Sequence, residues 1–243
     1  MIRLLCFPYA GGSALAYFNL WKDYIHPNIE LIPVEIAGRG LRCQEPFYRS
    51  FTDALDDMYQ SILPVIRKGP YALLGHSLGA VFAYEMYRKI QSENGMLPCH
   101  LFFSASTAPD FWKKEKEIYS IADVSNEQLI QTIIQLGGTP VEIMSNPKFM
   151  NHFLAILRAD FQLISTYTQS KNRSLFNCDV TALYGRHDRL VPDEILAWSK
   201  YTALQFRHFS FEGGHFYINH QIIAVSEVIN AILEPMAEKV ELS

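Results

Sequence analysis

Two short stretches of this 243-residue chain carry side chains able to do covalent chemistry. The first is Gly75-His76-Ser77-Leu78-Gly79, a single hydroxyl bracketed by glycines. Serine is a weak nucleophile at its own pKa, so it needs a base within hydrogen-bond reach and a third group to orient that base. The second stretch, Phe211-Glu212-Gly213-Gly214-His215, ends on a histidine that offers the base. Asp188, in Tyr184-Gly185-Arg186-His187-Asp188, offers the acid. Its rival Asp193 stands beside Pro192 ahead of an amphipathic run, where a carboxylate serves more naturally as a helix cap. The other histidines, His26, His76, His100, His152, His187, His208 and His220, lack the setting of His215 at the end of a strand-like run. Attack on a carbonyl also needs two backbone donors for the developing oxyanion, one of them on the residue after the serine. Leu78 supplies that one, and Ala10 or Tyr9 in Cys6-Phe7-Pro8-Tyr9-Ala10-Gly11-Gly12 the other.

These residues are useful only if secondary structure brings them together. The five-residue serine pattern arises by chance roughly one time in ten in a chain of this length, with glycine near 7% of residues. Its setting is more informative. A strand-like run, Tyr71 to Leu74, ends just before it and a helix-like run, Ala80 to Ile90, begins just after, as a strained nucleophile-bearing turn requires. Further strands are predicted at Ile2 to Phe7, Ile29 to Val34, His100 to Ser104, Val180 to Tyr184 and Phe206 to Phe211. Helices are predicted at Leu15 to Ile25, Phe51 to Ile66, Glu194 to Tyr201 and Ile222 to Leu233. Strands alternating with helices predict an α/β fold with a mostly parallel central sheet flanked by helices. Residues 111–169 break the alternation and read as a helical insertion between core segments 1–110 and 170–243. Within it Ser125 and Gln128 fit a capping box, Gly137-Gly138 with Pro140 a stop, and Asn146-Pro147 a fresh helix start. The apolar faces of these helices either pack on the core or cover a site.

Composition narrows the partners. Lys plus Arg number 21 and Asp plus Glu 25, a net charge of −4, with no basic run of the kind that binds nucleic acid. Cys6, Cys43, Cys99 and Cys178 are widely spaced, which fits reduced thiols in a cytoplasmic protein better than a disulfide framework or a metal knuckle. No run approaches the ~20 apolar residues that cross a bilayer. Neither a cofactor nor a metal is expected, and a monomer is the default.

The order serine, acid, histidine is that of α/β hydrolases. Taken with LLCFPYAGGSA, EIAGRG at Glu35 to Gly40, LLGHSLG, LIQTIIQLGGTP, LRADFQLISTY, YGRHD and FEGGHFYI, the chain resembles, nearly end to end, the type II thioesterases that accompany nonribosomal peptide and polyketide synthases. The resemblance implies an α/β-hydrolase fold with a helical lid, and hydrolysis of acyl groups from the phosphopantetheine arm of acyl- or peptidyl-carrier proteins. It implies Ser77 as nucleophile, Asp188 as acid, His215 as base, and Leu78 and Ala10 as oxyanion donors. A basic patch for an acidic carrier would fall on Arg39 and Arg42, or on Lys113, Lys114 and Lys116. The motifs alone also admit an acyltransferase, a general carboxylesterase, or a silent hydrolase fold that binds a carrier.

Overall fold

The computed structural model describes residues 1–112, 124–136, 147–190 and 193–241. Six strands form one sheet: β1 (Ile2–Phe7), β2 (Ile29–Pro33), β3 (Tyr71–His76), β4 (His100–Ser104), β5 (Asp179–Gly185) and β6 (Phe206–Phe211). Their order is β2-β1-β3-β4-β5-β6, and all five pairings are parallel. Every residue of β3 and β4 is buried, the mark of strands covered on both faces. Chain order reverses direction between β1 and β3. The crevice outside the carboxyl ends of those strands is where open α/β sheets place their ligands.

Helices α1 (Ala14–Phe18), α2 (Phe51–Ile66), α3 (Leu78–Ser92), α4 (Asn126–Leu136), α5 (Pro147–Thr166) and α6 (Ile222–Glu241) surround the sheet. Alternating strand residues feed two cores. Leu5, Phe7, Leu73, Leu101 and Phe103 pack with α2 and α3, while Leu4, Cys6, Leu74, Phe102 and Leu183 pack with α1 and α6. Ser50 caps α2 by accepting from the Asp53 N–H at 3.1 Å.

Three helix predictions need correction. The helix expected over Leu15 to Ile25 is the short α1 followed by a 3₁₀ turn, Asn19–Trp21. Pro27 disfavours helix at His26, whose N–H goes instead to Asn230 Oδ1 at 2.9 Å. The helix expected from Glu194 is a 3₁₀ helix over Asp193–Tyr201. Its buried residues Ile195, Trp198 and Tyr201 recur every three positions, the period of that tighter helix. Finally, α6 runs through Pro235 rather than stopping at Leu233, with Ala237 buried one turn beyond.

Between β4 and β5, the Ser125 and Gln128 side chains accept each other's backbone N–H at 3.3 and 3.0 Å, the expected capping box of α4. Pro147 opens α5, whereas Gly137, Gly138, Pro140 and Asn146 lie outside the described residues. Leu129 of α4 packs with Leu154, Leu157 and Phe161 of α5, and this cluster meets Ala10 in the turn after β1.

Candidate active site

The serine stands where β3 gives way to α3. Ser77 adopts φ 55° and ψ −117°, a conformation rarely open to a side chain. Such backbone costs about 1–3 kcal/mol and survives only where its surroundings impose it. Here they do. A Cβ at Gly75 would lie 2.0 Å from the Gly79 oxygen, and one at Gly79 would lie 2.1 Å from the Phe7 oxygen. Only glycines let strand, turn and helix approach so closely. The Ser77 N–H donates to the Ser104 carbonyl at 2.8 Å, tying the turn to β4.

The loops after β5 and β6 bring the other two residues in. Arg186 and His187 donate their N–H groups to the Phe211 and Gly213 carbonyls, each at 2.9 Å, extending the pairing past the strands. Gly185 sits so close to the Gly213-Gly214 backbone that a Cβ would lie 2.2 Å from the Gly214 oxygen. Asp188 and His215 therefore face each other. His215 Nδ1 lies 2.9 Å from Asp188 Oδ2, and His215 Nε2 lies 3.0 Å from Ser77 Oγ. Asp188 Oδ1 accepts the Leu190 N–H at 2.9 Å. Both side chains are nearly sealed from water, at 5% exposure for His215 and 0% for Asp188. A carboxylate can only accept, so Nδ1 carries the ring proton and the Nε2 lone pair faces the serine hydroxyl. That arrangement can draw a proton from Oγ as it attacks a carbonyl. Asp193 opens the 3₁₀ helix, and its side chain lies outside the described residues.

The two expected backbone donors lie on α3 and on the loop after β1. Leu78 is the first residue of α3, where N–H groups have no partner within the helix. On the other side, Tyr9 to Gly12 form a turn in which the Gly12 N–H donates to the Tyr9 carbonyl at 3.0 Å and Gly11 takes φ +81°. The Gly11 N–H donates to Asp160 Oδ2 at 2.7 Å. Both glycine N–H groups are thus occupied, whereas Ala10 lies one residue nearer β1.

Sequence reasoning missed the groups that support these residues. Ser104 Oγ lies 2.8 Å from His76 Nδ1 and 2.6 Å from the Tyr217 hydroxyl, a buried polar chain beneath the histidine. Burial pushes His76 well below the ordinary histidine range, with the neighbouring His215 adding to the effect. Glu35 accepts from Ser13 Oγ at 2.6 Å and from the Ala14 and Leu15 N–H groups at 2.9 and 3.2 Å, anchoring the start of α1. Arg39, expected on the surface to meet a carrier, is 2% exposed and turned inward. Its Nη1 and Nη2 donate to Asp160 Oδ2 and Oδ1 at 2.6 and 2.5 Å. A guanidinium forked onto a buried carboxylate and sealed from solvent cannot meet a carrier protein. Arg42 is committed to Glu45 and to Asp57, the latter at 2.8 Å. Lys113, Lys114 and Lys116 lie outside the described residues.

A parallel sheet with a nucleophile-type turn after β3 and an acid and a histidine after β5 and β6 defines a hydrolase of the α/β class. Within that class the chain belongs to the thioesterase family: the family model described as "Thioesterase domain" matches residues 2–233. Gramicidin S biosynthesis protein GrsT of Aneurinibacillus migulanus is 34% identical over 218 residues, 89% of this chain and 83% of that protein. The medium-chain S-acyl fatty acid synthase thioesterase of Anas platyrhynchos is 30% identical, covering 90% of this chain and 86% of its own. Among solved structures, ClbQ from the colibactin NRPS/PKS pathway superposes with a TM-score of 0.87 at 33% identity, covering 98% of this chain and 99% of that one. The protein is a thioester hydrolase.

Proposed function

We propose that this enzyme is a serine thioesterase that clears acyl groups from the phosphopantetheine arm of carrier proteins in a peptide or polyketide synthase. The observation that carries the reading is the continuous contact from Ser77 Oγ through His215 to Asp188, on a backbone strained to present the hydroxyl. His215 takes the Ser77 proton as Oγ attacks the thioester carbon. The Leu78 and Ala10 N–H groups receive the oxyanion. The C–S bond then breaks, His215 returns the proton to the departing thiol, and an acyl-serine remains. Water, deprotonated by the same ring, attacks the acyl-serine and releases the free acid and Ser77. Asp188 holds the ring in the tautomer that both half-reactions need. The insertion, α4 and α5, serves as a lid over the acyl group.

The carrier partner is supported by relatives named for gramicidin S biosynthesis, an NRPS/PKS pathway and a fatty acid synthase. Operation in the cytoplasm fits four cysteines that form no disulfide; among the described residues no helix is long and apolar enough to cross a membrane. The decisive test compares an acyl-phosphopantetheine carrier protein with the matching simple thioester and oxygen ester, for wild type and Ser77→Ala. The expected result is turnover that favours the carrier and falls by about 10⁴-fold or more without the serine. Equal turnover of carrier and oxygen ester would reduce the enzyme to an esterase without a carrier partner.

A further inference from the structure

Asp160 is a charged residue on a face of α5 that is otherwise apolar, between Leu157 and Phe161, and its side chain is wholly buried. No step of the mechanism above uses it. Stability is a poor reason for its presence, because a buried ion pair is often replaced by packed apolar side chains at no loss. Its contacts suggest another reason. Asp160 Oδ2 accepts from the Gly11 N–H and from Arg39 Nη1, and Arg39 Nη1 also reaches the Gly12 carbonyl at 3.3 Å. One carboxylate and one guanidinium thus grip the Ala10–Gly11 and Gly12–Ser13 peptide units, and the unit between them is held by the Gly12 N–H on the Tyr9 carbonyl. Peptide units are planar, so fixing the Gly11 nitrogen also fixes the carbonyl of Ala10 and limits the rotation of the unit before it. The helix lies directly against the same backbone, since a Cβ at Gly11 would meet Phe153 at 2.8 Å and Leu157 at 3.3 Å.

We propose that Asp160, held by Arg39, is a positioning residue that aims the Ala10 N–H at the reacting oxygen, so that α5 contributes to catalysis without touching the substrate. The inference rests on the oxyanion role proposed for Ala10. It predicts that catalysis depends on the acceptor at position 160 rather than on the charge pair.

Two double variants separate those terms. Arg39→Met with Asp160→Asn removes both charges and keeps an oxygen for the Gly11 N–H. Arg39→Met with Asp160→Leu removes the charges and the acceptor at nearly equal volume. Both are assayed on a soluble acyl-pantetheine thioester, with binding measured for an alkyl boronic acid, which forms a tetrahedral adduct on the serine, and for an unreactive thioether analogue. The Asn variant is expected to keep kcat within about fivefold of wild type. The Leu variant is expected to lose about 10²-fold in kcat, the scale of one oxyanion donor. It should lose as much boronate affinity while thioether affinity and KM stay within about twofold. Equal kcat for the two variants, or boronate and thioether affinities that fall together, would overturn the proposal. In wild type, hydrogen exchange reads the same contact: the Gly11 amide should exchange with the amides of α5, and exchange as an open loop amide overturns the proposal whatever the variants do. Hydrolysis that survives Ser77→Ala would remove the serine reading itself, and this one with it.

Discussion

Asp188 and Asp160 are both sealed carboxylates with both oxygens engaged, yet their partners differ in kind. Asp188 meets an imidazole ring and the N–H of a residue two positions away. Asp160 meets a permanent cation 121 residues distant and a loop N–H 149 residues distant. The first contact sets a proton on one ring nitrogen, whereas the second fastens α5 to Arg39 and to the loop after β1. The same substitution, aspartate to asparagine, should therefore be read in rate at one position and in stability at the other.

Asp188→Asn has the larger effect. An amide can donate to Nδ1, which would leave the ring proton on Nε2, facing the serine. The expected loss is about 10⁴-fold in kcat, with unfolding free energy close to wild type. A loss below tenfold, or a larger effect at Asp193→Asn, would give the acid's role to another residue.

Asp160→Asn leaves Arg39 buried with a neutral partner, and breaking such a pair costs about 3–5 kcal/mol. Equilibrium unfolding in urea should show that loss. Arg39→Met added to it should recover part of the loss, because the stranded charge goes too. A single variant as stable as wild type would mean that water reaches Arg39 and that the clamp is not sealed.

The contrast between the two aspartates also explains what could be read in advance. Ser77, Asp188 and His215 each follow a strand, and a parallel sheet gathers the carboxyl ends of its strands at one edge. Local signals at three places were therefore enough to assemble one site. Asp160 and Arg39 have no such signal in common. The nearest to one was a lone aspartate in the apolar stripe Leu154, Leu157, Phe161, which demands a buried cation without naming it. Charge alone put Arg39 on the surface, because most arginines are exposed. The 3₁₀ helix at Asp193–Tyr201 was obscured for another reason, since buried residues three apart fit the first turn of an α-helix equally well.

Buried histidines mark the pH range in which the two aspartates are fairly compared. His100 Nε2 lies 2.8 Å from Thr181 Oγ1, and its Nδ1 is buried without a partner. Burial lowers its pKa from the ordinary 6.5 to about 3. Between those values the unfolded chain binds a proton that the folded chain refuses, so stability falls as pH drops below about 6.5. The slope approaches ~1.4 kcal/mol per pH unit for each such histidine. His76 is shifted in the same direction and should add its own share. His100→Gln should flatten the dependence, losing ~2 kcal/mol less than wild type between pH 6.5 and pH 5. Equal slopes in the two proteins would mean that His100 takes up its proton in the fold. Above about pH 8 the unfolded chain no longer holds these protons and neither histidine contributes an appreciable slope, so the two aspartate variants are best compared there.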